Sequence, residues 1–197
     1  MSSKIDICNL ALNHLSMRSI TSLSEGTPTS NACNTFFDPC RDDVLSEAEW
    51  SFASVQQSLV LVSDTVTGWD YVYQYPVKAA RVWNVYDEST TDEKGSQEFE
   101  VKFVPSTNSK VVCSDLQYAI ADITYKVEDT TIYDSKFVMA LSYRLAAAMA
   151  HQLTGSAELG LQLMNVYTAL VGEAKRVGNT EKIRKPKQVS SYQNSRG

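Results

Sequence analysis

Residues 36–53 change their hydrophobic period partway along, and this change constrains the fold more than any other feature of the chain. Up to Ala48, apolar residues recur every three or four positions, which predicts one buried face of an α-helix. Pro39 lies inside this pattern and predicts a kink or a restart of the helix. Trp50 and Phe52 then alternate with small residues, and a period of two predicts a β-strand. The segment therefore predicts a helix that leads directly into a sheet.

Helical patterns flank a long block of strand patterns. The helical patterns cover about residues 3–16, 28–49, 133–153 and 156–178. The strand patterns lie between them, in a β insertion over about residues 51–127. This order predicts an α+β fold: a helix pair, a central antiparallel β insertion and a C-terminal helix pair, which form a helical bundle plus a small sheet. The length fits one domain over residues 1–177.

One strand pair in the insertion is defined by its residue pattern. Phe99, Val101 and Phe103 alternate with charged residues, which predicts a strand with one apolar face. The turn residues that follow this strand predict a hairpin with residues 110–115. Residues 87–97 have almost no apolar side chains and predict an exposed loop.

The last strand pattern of the insertion contains an irregularity. In residues 116–127 the apolar positions are even at first and odd later. One extra residue near Ala121 and Asp122 would restore a single apolar face, so the pattern predicts a β-bulge there.

The four cysteines do not form a metal-binding or disulfide pattern. Cys33 and Cys40 lie on the apolar face of a predicted helix, and no CxxC pair occurs. His14 and His151 are the only histidines that could complete a metal site. We expect buried, reduced thiols, because cysteine in this setting behaves as a small hydrophobic residue, and we expect no metal and no cofactor.

The charge is distributed unevenly along the chain. Residues 175–197 carry seven basic side chains and one acidic, a net charge of +6, whereas the remaining residues carry −11. The polar composition of residues 178–197 predicts a basic, flexible C-terminal tail. No apolar run approaches the roughly 20 residues that cross a membrane, so we expect no membrane contact.

Four ordered motifs resemble the head-to-tail adaptor proteins of short-tailed bacteriophages, which include the tail tubular protein A family and portal-bound tail accessory factors. The first is Ile7–Leu12 with Leu15 and Ile20–Leu23. The second comprises Arg41, Asp42, Leu45, Trp50, Phe52 and Ala53. The third is Tyr73–Pro76 with Arg81 and Val82, and the fourth is the C-terminal helix pair with Arg144–Ala146 and Glu173–Lys175.

The resemblance implies a structural virion protein, not an enzyme. Members of the family form a ring of twelve copies beneath the portal protein, continuous with the tail nozzle, and genomic DNA passes through the lumen without specific binding. We therefore expect a homo-oligomer in the virion, assembled in the host cytoplasm. We expect Arg41, Asp42, Trp50 and Phe52 to form a structural junction between the second helix and the sheet. We expect the basic tail to dock on the portal through Lys182, Ile183, Arg184, Lys185, Lys187, Val189 and Tyr192.

Two alternatives remain open at the level of sequence. A tail-associated peptidoglycan hydrolase needs two carboxylates about 5–9 Å apart, and Asp43 and Glu47 at positions i and i+4 fit that range. They occupy the polar helix face, where solvent keeps both ionised. Ser-His-Asp catalysis would need His14 or His151, and both fall in helices with apolar stripes. Alternatively, the basic tail could bind DNA, but protein docking is favoured because a DNA-binding arm would oppose the acidic body.

Overall fold

The structure, a computed structural model, describes residues 2–87 and 96–181. Four helices in this part of the chain enclose the strand block in sequence. They are α1 (Lys4–His14), α2 (Pro28–Glu47), α3 (Ser135–Thr154) and α4 (Ala157–Glu181). The α+β class and the order of a helix pair, a β insertion and a second helix pair are confirmed.

Local residues mark the starts of α1, α2 and α3 and the end of α3. Ser3 and Asp6 form a reciprocal capping box at the start of α1. Thr27 and Asp134 accept hydrogen bonds from first-turn amides of α2 and α3. Gly155 ends α3 with φ of 71°, a left-handed conformation in which glycine, lacking a Cβ, meets no steric penalty. The sequence signals for these ends are short-range, and the predicted boundaries therefore lie close to the observed ones.

The end of α2 differs from the sequence prediction. The helix passes through Pro39 without interruption and ends at Glu47, and β1 begins only at Ser54. Trp50 and Phe52 are not in a strand, because Ser51–Ala53 form a 3₁₀ turn. This turn lets both aromatic side chains remain on the helical core while the backbone turns toward the sheet.

The β insertion forms two sheets where the sequence predicts one. The strands are β1 (Ser54–Ser58), β2 (Tyr71–Gln74), β3 (Ala79–Asp87), β4 (Phe99–Val104), β5 (Ser109–Ser114) and β6 (Ala119–Tyr125). They are antiparallel and pair in the orders β1-β6-β3 and β2-β5-β4. The predicted hairpin is confirmed as β4 and β5. The predicted loop over residues 87–97 falls mostly on residues 88–95, which lie outside the described residues.

The predicted β-bulge at Ala121 and Asp122 is wrong. β6 pairs regularly with β1, and the register shifts lie in β3, between Ala79 and Arg81 and between Val82 and Asn84. The even-numbered apolar residues that suggested a bulge precede β6 or face away from its buried side. The irregularity therefore belongs to the neighbouring strand.

The helices and the sheets have separate apolar clusters. α3 is the central helix, because it packs against α1, α2 and α4. Its buried side chains and those of α1 and α2 form the helical core. A second cluster lies around Tyr73, Val85 and Ile123, and a third around Val72 and Val111. The helical core and the sheets must therefore be joined by specific contacts at their junction.

The apolar face predicted for β4 is mostly exposed. Val101 is 41% exposed and Phe103 is 58% exposed, whereas Phe99 packs against the second cluster. The alternation along β4 is present as predicted, but no described element covers the far end of this face. On α4, Val166 is exposed and the neighbouring Tyr167 is buried.

Candidate interaction site

The predicted junction begins with Trp50, which lies between the end of α2 and the start of α3. Its side chain is only 4% exposed. The indole Nε1 donates a hydrogen bond to the carbonyl of Val44 at 2.8 Å. The ring packs edge-on against Phe137 with centroids 5.0 Å apart. The bond satisfies both the indole N–H and a carbonyl near the helix C-terminus.

Phe52 extends this aromatic cluster toward the connection between β6 and α3. Its ring lies 5.0 Å from Phe137 and 5.3 Å from Tyr133. The Tyr133 hydroxyl donates to the carbonyl of Val127 at 2.8 Å, and burial raises the pKa of Tyr133 to about 12. The aromatic cluster therefore contacts both ends of the β insertion.

Arg41 and Asp42 provide the polar part of the junction. Arg41 donates through Nε and Nη2 to Oδ1 of Asp42 at 3.0 and 2.8 Å, and through Nη1 to Asp38 at 3.0 Å. Lys126 Nζ lies 3.2 Å from Oδ2 of Asp42. Asp42 therefore links α2 to the residue after β6. Of the four predicted junction residues, Asp42 and Phe52 thus contact the connection that follows β6. Arg41 bonds within α2, and Trp50 packs between α2 and α3.

Two further motif residues make internal bonds that the sequence did not reveal. The side chain of Asn9 pairs with the backbone of Ile20, accepting from its N–H at 2.8 Å and donating to its carbonyl at 3.0 Å. This pair fixes the exit loop of α1 against the helix. Arg144 Nε lies 2.7 Å from Oδ2 of Asp43 and joins α3 to α2.

The carboxylates considered for catalysis both face cations. Asp43 pairs with Arg144, and Glu47 pairs with Lys175 at 2.8 Å. A glycosidase acid needs an apolar environment, whereas each of these two carboxylates lies beside a cation. The geometry of Asp43 and Glu47 therefore suits bridges from α2 to α3 and α4.

Tyr167 lies next to these ion pairs with its hydroxyl buried. The side chain is 5% exposed, and the hydroxyl has no hydrogen-bond partner in the part of the chain that the structure describes. The Arg144 guanidinium lies 6.0 Å from the ring centroid. Burial raises the pKa of the Tyr167 phenol. An unpaired buried hydroxyl costs stability, because it loses its bonds to water on folding.

We expect Tyr167→Phe to raise the free energy of unfolding by about 1 kcal/mol, because the change removes an unpaired buried polar group and keeps the ring. Tyr133→Phe is the matched control. Its hydroxyl is bonded to Val127, so its loss is expected to cost about 1 kcal/mol. Denaturant unfolding of both variants measures the difference. Equal destabilisation by the two changes would contradict this reading of Tyr167.

The contacts of His14 are those of a histidine with a structural role. Its ring stacks on Tyr143 with centroids 3.9 Å apart, and Nε2 lies 3.1 Å from Oγ of Ser142. Ser142 is buried and donates its hydroxyl hydrogen to the carbonyl of Met139, so we assign Nε2–H of His14 as the donor to Ser142. A serine nucleophile would need the opposite arrangement. Burial lowers the pKa of His14.

The lowered pKa predicts a loss of stability on mild acidification. As the pH falls below about 6.5, the unfolded chain protonates His14 before the folded chain does. The free energy of unfolding therefore decreases as the pH is lowered, until the folded-state pKa of His14 is reached. Unfolding free energies at pH 7.5 and pH 5.5 measure this slope. We expect His14→Gln to flatten this slope. Equal slopes in the native chain and His14→Gln would refute the assignment.

The four cysteines agree with the sequence prediction. All four cysteines are buried and unbridged, as expected. Within residues 2–87 and 96–181, no three His, Cys, Asp or Glu side chains gather into a metal site.

The predicted portal-docking residues lie outside the described residues, and they are Lys182, Ile183, Arg184, Lys185, Lys187, Val189 and Tyr192. α4 continues to Glu181, so residues 178–181, which the sequence assigned to the tail, are helical.

The exposed apolar side chains identify the surfaces available to partners. On the helical side they include Met139, Leu161, Met164 and Val166. On the β side they include Val101 and Phe103. A shallow cleft of about 190 Å³ lies between the start of α3 and the end of α4, lined by Met139, Leu170 and Glu173 among others. Apolar residues are thus exposed on two different parts of the subunit.

No protein-family model matches the chain, and no curated protein sequence matches it. Among the described helices, none is both long enough and apolar enough to cross a membrane.

Proposed function

We propose that this chain is a structural subunit of a bacteriophage virion, a head-to-tail connector that forms a closed ring beneath the portal. The ring joins the portal to the tail nozzle, and the genome passes through its lumen. In this role the subunit carries out no catalysis and requires no cofactor. Its location is the virion, after assembly in the host cytoplasm.

The observation that carries the proposal is the use of the motif residues. Asn9 fixes the exit of α1, Asp42 joins α2 to Lys126, Trp50 closes the end of α2, and Arg144 ties α3 to Asp43. These side chains hold together a helix pair, a β block and a second helix pair. The resemblance to the adaptor family thus concerns how the subunit is built, which supports a shared architecture with a structural role.

The charge distribution is compatible with a DNA conduit. The chain outside residues 175–197 carries −11, and an acidic wall does not retain a sliding phosphate backbone. A head-to-tail ring also needs two different complementary surfaces on each subunit. The exposed apolar residues of the α3–α4 pair and those of β4 lie on different elements and offer two such surfaces.

The mass of the complex with a portal ring tests this function. Purified portal rings of short-tailed phages are mixed with the full chain, and native mass spectrometry counts the bound subunits. We expect twelve subunits for each portal ring. If no portal ring in the panel binds the chain, the connector function loses its support.

The same preparation tests the two alternatives. Peptidoglycan clearing that is abolished by Asp43→Asn or Glu47→Gln would establish the hydrolase instead. Affinity for duplex DNA with a steep salt dependence, lost when the basic tail is removed, would establish DNA binding. We expect neither activity.

A further inference from the structure

β4 is an edge strand with one side unpaired in the described part of the chain. Its pairing with β5 runs from Phe99 opposite Ser114 to Val104 opposite Ser109. No other described strand pairs with it. The unpaired side of β4 therefore presents backbone N–H and C=O groups that can pair with another strand.

The side chains of β4 do not protect this edge. Val101 and Phe103 are 41% and 58% exposed on one face of the strand. Glu100 and Lys102 lie on the other face, where their charged groups are 2.9 Å apart and both remain accessible. Natural edge strands avoid pairing by carrying charges that repel a second strand or by lacking exposed apolar residues. Here the charges are of opposite sign and an aromatic ring is exposed.

The sequence of β4 is self-complementary in an antiparallel arrangement. Residues 99–103 read Phe-Glu-Val-Lys-Phe. When two copies pair about Val101, each Glu100 lies opposite a Lys102 of the other copy, and each Phe99 lies opposite a Phe103. Opposite charges and aromatic pairs directly across two strands stabilise the pairing.

Neighbouring registers lack this match. A shift that centres the pairing on Glu100 places two glutamates opposite each other, and a shift that centres it on Lys102 does the same with two lysines. The two intermediate registers, between the pairing about Val101 and the pairings about Glu100 or Lys102, place apolar side chains opposite charged ones. The reason is that side chains along a strand alternate between its two faces. The register centred on Val101 therefore matches the side chains on both faces of the strand.

We propose that the free chain forms a two-fold symmetric dimer through β4, which joins two β2-β5-β4 sheets into one continuous sheet. The contact is isologous and closes at two copies, whereas the contacts of a ring are heterologous, so a subunit leaves the dimer before its β4 surface enters a ring. It describes the chain in the absence of a portal. Since only a few residues of each strand meet, the interface belongs to the small class, and we expect a dissociation constant on the order of micromolar or weaker.

Charge-swap variants of the full chain test the dimer by sedimentation over a series of protein concentrations. Glu100→Lys places lysines opposite each other twice, and Lys102→Glu places glutamates opposite each other twice. We expect each single change to raise the dimer dissociation constant at least tenfold. The double variant Glu100→Lys, Lys102→Glu restores both opposite-charge pairs, and we expect its dissociation constant to return to within about threefold of the native value.

Two further variants separate this contact from general effects. Glu128→Lys makes the same charge change at an exposed position outside β4 and should leave dimerisation unchanged. Phe103→Ser should weaken the dimer, because it removes the cross-strand aromatic pair. Melting temperatures of all variants report whether they are folded.

A native chain that remains monomeric at every concentration overturns the proposal, as does a folded double variant that dimerises no better than the single variants. The first result would mean that Glu100 and Lys102 protect the edge, and the second that the pairs of Glu100 with Lys102 do not hold the dimer together. Portal binding is measured separately and does not depend on β4 pairing, so failure of the dimer and failure of the connector function are distinguishable.

Discussion

Replacing Trp50 by alanine is expected to lower the free energy of unfolding by about 3–5 kcal/mol. The side chain is 4% exposed and packs against Phe137, so its removal leaves a cavity in the helical core. It also leaves the Val44 carbonyl without its indole donor. Since a domain has about 5–15 kcal/mol of stability in total, the variant should be only marginally folded.

Denaturant unfolding followed by circular dichroism measures this loss. Trp50→Phe keeps an aromatic ring but loses the N–H donor, and it should cost less than the alanine change. Trp69→Ala is the matched control, because Trp69 is half-buried and donates only to an exposed Glu100 at 3.3 Å. We expect it to cost less than half as much as Trp50→Ala. A Trp50→Ala variant within about 1 kcal/mol of the native chain would show that the aromatic cluster does not anchor the junction.

Deleting residues 182–197 is expected to abolish most of the binding to a portal ring while leaving the melting temperature nearly unchanged. The residues removed carry most of the positive charge of the C-terminal segment. The helical core already includes α3 and α4 up to Ala174, and Lys175 of α4 is bridged to Glu47. The deletion therefore begins after all the contacts of α4 that are made by side chains in the described part of the chain. Titration of the truncated chain against portal rings measures the loss.

A four-site neutralisation distinguishes electrostatic attraction from apolar docking. Replacing Lys182, Arg184, Lys185 and Lys187 by glutamine should weaken binding more at low salt than at high salt, because salt already screens part of the attraction. Replacing Ile183 by serine is the uncharged comparison and should weaken binding equally at both salt concentrations. Unfolding of the truncated chain would show instead that the tail belongs to the core. Unchanged portal binding after truncation would place the docking surface elsewhere.

The helices could be predicted closely because their signals are local. Each has an apolar face of period 3.6, and capping residues such as Ser3 and the turn at Gly155 mark their ends. Trp50 and Phe52 illustrate the limit of periodicity. Residues at positions i and i+2 lie on the same side of a strand. Trp50 and Phe52 lie on the same side of a 3₁₀ turn instead, and both rings pack on Phe137.

The sheets were less predictable because pairing over long sequence distances decides which faces are buried. β5 buries residues on both of its faces, including Val111 and Val112, since it is the central strand of its sheet. β4 alternates cleanly and yet exposes Phe103. Alternation in a sequence marks a strand, but whether anything covers the apolar face depends on the rest of the molecule.

The candidate site was predictable only in part for the same reason. The motif identified Arg41 and Asp42, but Lys126, the partner of Asp42, lies 84 residues farther along the chain and carries no local signal. The ion pair of Asp43 with Arg144 was likewise invisible in the sequence. In the sequence, Asp43 lies one helical turn from Glu47, and this spacing resembles that of a catalytic carboxylate pair. Its cationic partner comes from a different helix.

The separate apolar clusters of helices and sheets have a consequence for how the molecule opens. α3 lies at the centre of the helical core, and its amides can exchange with solvent only when that core unfolds. β2, β4 and β5 pack around their own small clusters, so they can open locally at a lower free energy. Hydrogen exchange should therefore resolve two tiers of protection, with β4 and β5 amides exchanging well before those of α3. The β side can thus adjust its strands to a partner while the helical core keeps its structure.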